Sequence, residues 1–180
     1  MDLNFYLAQI TAVLAWLFLI ISYWKNKNDN LLVLQVVSGV FFLLNYIFLG
    51  AYTGLFVICF EIVRDYLYIK FRDDKKTFLY TLPVYAVIGI FSYDGIWSLF
   101  SILASVNDGF ALTYHGKKVV FLGVVTYILW IVYDLYCASF ANVLAESIVV
   151  ISNLVILLKT GNSKNKKIIL YAPTFRKGNN

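Results

Sequence analysis

The chain has 180 residues, of which 61% are hydrophobic and only 14% charged. A soluble domain of this size is about half apolar and about a quarter charged, and this much apolar surface exceeds what one small soluble core can hide. An ordinary cytosolic enzyme, a disordered chain and a nucleic-acid module are excluded. The formal charge is +5, with one histidine and two cysteines, which leaves no disulfide scaffold and no zinc set.

Seven apolar stretches follow along the chain: 4–24, 31–50, 54–71, 77–93, 95–114, 119–137 and 140–159. Each is close to the roughly 17–25 residues that a bilayer crossing needs. The first lacks a basic leader and a small-x-small cleavage site, and its apolar run is long for a signal, so it reads as a retained helix. The third is the least clean, because Glu61, Arg64 and Asp65 sit inside it, yet the run Thr53 to Tyr68 is otherwise apolar and aromatic. The connections Lys25 to Asn30, Ala51 to Thr53, Arg72 to Lys76 and His115 to Lys118 are too short for an extramembrane domain. The expected fold is all-α, a polytopic membrane protein of seven transmembrane helices forming one domain over 1–180.

Charge tests the count independently. With seven spans, the first, third and fifth loops and the tail share one side. They hold Lys25, Lys27, Lys70, Arg72, Lys75, Lys76, Lys117, Lys118 and Lys159, then Lys164, Lys166, Lys167, Arg176 and Lys177. The exception among the basic residues is Arg64, inside a helix, and the opposite loops carry only acidic Asp94 and Asp2. Since cytoplasmic loops carry the Lys/Arg excess, the N-terminus is expected outside and the C-terminus inside. The basic tail, 160–180, reads as a topology lock against anionic inner-leaflet lipid; no nucleic-acid partner is expected.

A shift of about 89 residues lays the second and third spans on the sixth and seventh. Leu55 falls on Leu144, Ile62 on Ile151, Lys70 on Lys159, Asn45 on Asp134 and Arg64 on Asn153. The implied plan is two parallel three-helix bundles, 4–71 and 95–159, joined by a linker helix at 77–93. In transporters built from parallel repeats the site lies at the repeat interface near the midplane.

Charges inside hydrocarbon are costly and usually face the bundle interior or a water cavity. Glu61, Arg64, Asp65, Asp108, Asp134 and Glu146 qualify, accompanied by Gln9, Gln35, Asn45, Asn107 and Asn153. Position along each span sets depth: Asn45, Asp134 and Glu146 toward the outer side, Glu61 near the middle, Arg64, Asn107, Asp108 and Asn153 in the inner half. Glu61, Arg64 and Asp65 share one helix face at i, i+3 and i+4. Arg64 with Glu61 or Asp108 makes either a structural ion pair between helices or a ligand site, and both readings stay open. Asn45 and Asp134 lie about one turn from the outer surface, where simple solvation is the plainer account. Glu146 and Asn153, seven apart, share a face of the last span that should point inward.

No helix-borne His or Cys pair can hold a metal or haem, and no nucleophile elbow or phosphate-binding Gly-Lys-Ser/Thr loop occurs. His115 reads as a solvated loop residue, and Cys59 and Cys137 as packing residues. The chain is not expected to be an enzyme and needs no cofactor. Most of the aromatic residues should form interfacial belts or packing.

Several stretches together resemble the YgjV-type bacterial inner-membrane proteins over nearly the whole length. They are Leu7-Ala8-Gln9, Gln35, Leu49-Gly50-Ala51-Tyr52 with Gly54, Arg64, Trp130, Tyr133-Asp134, Ser139-Phe140, Glu146 and Asn153. That family is similar to the MtN3, PQ-loop and SWEET-like group, whose members duplicate a three-helix bundle around a linker helix. The resemblance implies a bacterial inner membrane and a small-solute transporter-like fold. In the sugar-transporting relatives, polar residues of the third helix of each bundle face substrate, which implies that role for Arg64 and Asn153. The hinge proline of those relatives is absent; the prolines here are Pro83 and Pro173.

The expected function is a non-catalytic carrier of a small polar solute. Its polar centre would be Arg64, Glu61, Asp108 and Asn153, with Asn45, Asp134 and Glu146 as an outer vestibule. Arg64 would hold an anionic or polyhydroxyl group, and the buried carboxylates could couple to protons. The partners are the bilayer and the solute, with a homo-oligomer left open. The alternative is a structural or accessory membrane protein that binds lipid or a partner subunit.

Overall fold

The computed structural model describes residues 2–24, 30–71, 74–114 and 116–162. They form seven helices at the seven expected places: α1 (Leu3–Trp24), α2 (Asn30–Leu49), α3 (Tyr52–Phe71), α4 (Asp74–Phe91), α5 (Ser98–Ala111), α6 (Lys117–Tyr136) and α7 (Phe140–Asn162). No strand occurs among the described residues. Lys25, Lys27, Arg72, His115 and the tail from residue 163 onward lie outside them.

Three helices are long and apolar enough to cross a bilayer by length and composition: Leu3–Ser22, Lys117–Tyr136 and Phe140–Lys159. Leu34–Leu49 is a shorter apolar segment. α3 is interrupted by Glu61, Arg64 and Asp65. α5 is shorter than expected, 14 residues, or about 21 Å against a hydrocarbon core of about 30 Å. It stops in the turn after Asn107-Asp108-Gly109-Phe110-Ala111, not at residue 114. Pro83 lies within α4, where its missing N–H breaks one backbone bond.

Burial is inverted relative to a soluble protein. Among the described residues, most of the buried positions are small or polar, while Leu, Ile, Val and Phe side chains of every helix face outward. Without a hydrophobic drive between helices in lipid, close packing and side-chain hydrogen bonds must hold the bundle. The α1–α2 pair shows both. Ala8, Ala12 and Ala15, fully buried, form a small-residue stripe on α1. Ser38 and Asn45, seven apart on α2, donate to the carbonyls of Ala15 and Ala8 at 2.8 Å. On the α5–α6 pair, Asn107 Nδ2 donates at 2.8 Å to both the Leu122 carbonyl and Thr126 Oγ1.

The packing has a two-part pattern. α1 packs on α2 and α2 on α3, as α5 packs on α6 and α6 on α7; the backbones of the two halves approach most closely through α1 with α7 and α3 with α5. The turns within each half match in detail. Gly50 and Ala138 both adopt left-handed backbone, φ 68° and 59°. The bonds Gly50 N–H to Ile47, Ala51 N–H to Tyr46 and Leu55 N–H to Ala51 recur as Ala138 to Leu135, Ser139 to Asp134 and Val143 to Ser139. The spacing is 88 residues at every atom pair, one less than the sequence shift of about 89, and it pairs Tyr46 with Asp134.

Candidate functional site

Two polar clusters occupy the interior. The first joins α3, α4 and α5. Arg64 of α3 is 2% exposed, and its five N–H groups are all engaged. Nε and Nη2 donate to Asp65 Oδ1 at 3.0 and 2.9 Å, and Nη2 also donates to Asp108 Oδ2 at 2.7 Å. Nη1 donates to the Tyr85 hydroxyl and the Ser105 carbonyl, both at 3.1 Å. Glu61, one turn back on α3, lies 3.8 Å from Nη1 and accepts a hydrogen bond from the Ser105 hydroxyl. The i, i+3, i+4 spacing puts all three charges of α3 on the face that meets α5. Phe60 packs edge-on against Tyr85, ring centroids 5.0 Å apart, and steadies that hydroxyl.

The second cluster joins α1, α2, α6 and α7. Asn45 accepts from the Ser139 hydroxyl at 3.2 Å and from Asn142 Nδ2 at 3.3 Å while donating to α1. Asn142 Oδ1 accepts from the Trp16 indole N–H at 3.1 Å. Gln9 clamps the α6–α7 turn, donating to the Ala138 carbonyl and accepting from the Ala141 N–H, both 2.9 Å. The Tyr46 hydroxyl donates to Asp134 Oδ1 at 2.9 Å. Tyr46 also packs against Trp130 and Tyr133, centroids 6.1 and 6.0 Å apart.

Tyr133 closes this core onto α3. Its hydroxyl accepts the Gly54 N–H at 2.7 Å, one of the first-turn donors that a helix cannot satisfy itself. Only glycine leaves the room: a Cβ there would lie 2.9 Å from ring carbons of both Tyr133 and Tyr46. Both rings are buried, so Gly54→Ala should cost about 1–3 kcal/mol by overpacking and lower the melting temperature in detergent. Gly89→Ala meets only the tip of Ile102 at 3.1 Å and should lower it far less; equal losses would sink this packing account.

Of the residues expected at one polar centre, Arg64, Glu61 and Asp108 come together. Asn153 stands apart against α6, its amide nitrogen 3.5 Å from where a Cβ on Gly123 would sit. Asn45 and Asp134 are fully buried and Glu146 is 5% exposed, so these three are sealed between helices and do not line an open vestibule. A cavity of about 290 Å³ at the turn end is lined by Leu49, Thr53, Asp94, Ser98, Tyr133 and Cys137, among others. One of about 400 Å³ at the opposite end is lined by residues including Phe110, Tyr114, Lys117, Lys118 and Phe121. None of the expected site residues lines either. Tyr85, Ser105, Tyr46 and Asn142 were not anticipated. Asn142 had a signal, standing one turn before Glu146; the neutral hydroxyls had none.

Charges and amides held inside a bundle with an apolar exterior describe a membrane protein, and one family model matches the chain over residues 6–164. The chain belongs to the Imp-YgjV family of bacterial inner membrane proteins. No curated protein and no solved structure matches it. The matched span of this Imp-YgjV chain contains all seven helices but for the first residues of α1, and so both polar clusters.

Proposed function

We propose that this Imp-YgjV chain is a non-catalytic carrier that moves a small polar solute across the inner membrane by alternating access, with the Arg64 cluster at its centre. The observation that carries the reading is a buried guanidinium ringed by carboxylates that keep surface open, Asp65 at 52% and Asp108 at 37%. A buried ion pair adds little stability over apolar packing, and charge at membrane depth marks solute and ion paths. Because all five Arg64 donors are engaged, the groups left to meet a solute are carboxylate oxygens. That supports a hydroxyl- or amine-bearing solute over an anion. The matching turns support a parallel duplication, 4–71 and 95–159 about the helix at 77–93, with the solute path at their interface. The distribution of Lys and Arg supports an outer N-terminus and a cytoplasmic C-terminus.

The complete engagement of Arg64 favours a second reading, an accessory protein in which the cluster only joins α3, α4 and α5. Thiol labelling separates the two. In a background lacking Cys59 and Cys137, Asp65→Cys and Asp108→Cys should react with a membrane-impermeant reagent. A panel of sugars, polyols and amines in hundredfold excess over the dissociation constant should stabilise the wild type by about 2.7 kcal/mol, and the active compound should slow the labelling. Cysteines inert from both sides, with no stabilising compound, would leave the accessory reading.

A further inference from the structure

The second cluster contains two oxygens that no described group satisfies: Asp134 Oδ2 and Glu146 Oε2. Asp134 is fully buried and Glu146 is 5% exposed. Each carboxylate lies within electrostatic reach of the other, and Tyr46 within reach of both. The other titratable groups near them are Tyr133 of α6 and Cys137 just beyond it, with Asp94 more remote. α1 and α7 contribute neutral partners, Gln9, Trp16 and Asn142, and α2 contributes Asn45 and Tyr46. The buried cation Arg64 is committed to the other cluster.

Two ionised carboxylates buried together without a cation are electrostatically untenable, and such pairs hold a proton instead. Asp134 also has a special position: at the 88-residue spacing it is the counterpart of Tyr46, and the two are bonded to each other. Equivalent positions of a parallel repeat meet only at the axis between the halves. We infer that Asp134 and Glu146 form a proton-binding site on the axis between the two halves, the proton held at Asp134 Oδ2 or Glu146 Oε2. The ligand is a proton, not a metal cation. Hard cations take a shell of six or more oxygens, whereas the remaining oxygens here are occupied: Asn45 Oδ1 by two donors and Asn142 Oδ1 by Trp16. This site stands whether or not a solute is carried.

The test is infrared spectroscopy of the full chain in detergent, wild type against Asp134→Asn, Glu146→Gln and the double variant. At neutral pH the wild type should show the carbonyl stretch of a protonated carboxylic acid that the double variant loses. Each single variant, still holding one buried acid, should keep a band at a shifted frequency. Raising the pH should strip the proton, leave two buried charges and lower the wild-type melting temperature, with a smaller fall in the double variant. Should the double variant fail to accumulate, the shifted bands of the single variants decide. Acid-carbonyl regions that superimpose across wild type and variants would overturn the proposal. So would a wild-type melting temperature that rises with sodium only where both carboxylates are present, which would make the ligand a metal cation.

Discussion

Arg64→Ala should destabilise the bundle by about 1–3 kcal/mol, less than the loss for a fully enclosed ion pair, because Asp65 and Asp108 are 52% and 37% exposed. The side chain is 2% exposed, and its deletion strands Asp108 and Asp65, which it holds at 2.7–3.0 Å, as well as the Ser105 carbonyl and the Tyr85 hydroxyl. Glu61 is the most enclosed carboxylate left behind, at 17% exposure, so the loss is mainly the cost of leaving Glu61, the Tyr85 hydroxyl and the Ser105 carbonyl without their cation. Two companions separate these contributions. Arg64→Lys keeps the charge but offers three donors from a point in place of five in a planar fork, so it should recover only part of the loss. Arg64→Met combined with Glu61→Gln, Asp65→Asn and Asp108→Asn removes all four charges of the cluster and should melt near the wild type, since well-packed neutral replacements of buried ion pairs are often neutral or stabilising. Melting temperatures in detergent read the series. A quadruple variant as unstable as Arg64→Ala would show that the loss arises from lost packing around the guanidinium stem. A quadruple variant that folds but no longer responds to a stabilising solute would tie these charges to binding.

The number and order of helices were legible because hydropathy and the sidedness of Lys and Arg are one-dimensional signals. Six of the seven helices run close to the expected stretches, and the exception, α5, is explained by its own residues: Asn107 turns to α6 and Asp108 to Arg64, and the helix ends at Ala111. The Arg64–Glu61 pairing was legible for the same reason, since i, i+3 spacing is local. Depth was legible too, but depth is not exposure. Asn45 and Asp134 sit about one turn from the end of their helices, which reads as near water, yet the Ala8 carbonyl of α1, Tyr46 of α2 and Asn142 of α7 close over them. Lateral burial depends on how each helix is rotated, and nearly uniform apolarity around α2 and α6 hides that rotation. The same ambiguity placed Asn153 beside Arg64, whereas it faces Gly123. Neutral hydroxyls such as Tyr85 and Ser105 become partners only once α4 and α5 are set against α3. The likeness of the two turns was foreshadowed by matched loop lengths, but their spacing of 88 residues emerges only from the turn hydrogen bonds.

Asn45 is the second position where one atom should matter greatly. Its amide donates to the Ala8 carbonyl and its oxygen accepts from Ser139 and Asn142, so one side chain ties α2 to α1 and α7. Interhelical hydrogen bonds in membranes average only about 0.6 kcal/mol. Asn45→Leu should nevertheless cost more, because it leaves two buried donors without an acceptor, at about 1–3 kcal/mol for each group left unsatisfied. Ala8 suffers less, since the Thr11 hydroxyl also donates to its carbonyl at 2.9 Å. Asn45→Asp should be worse than Asn45→Leu at neutral pH despite its closer shape. It turns a donor facing the Ala8 carbonyl into an acceptor and adds a third carboxylate to a core that already holds Asp134 and Glu146 with unpartnered oxygens. The sign of its pH dependence follows. Acidification supplies a proton that restores a donor toward Ala8 and removes the charge, so the Asn45→Asp variant should regain stability as the pH falls, while Asn45→Leu gains nothing from that source. Melting temperatures of the two variants across acid to neutral pH read the difference. If their curves run parallel, the environment of position 45 is open to water and the sealed core described for α1, α2, α6 and α7 is wrong.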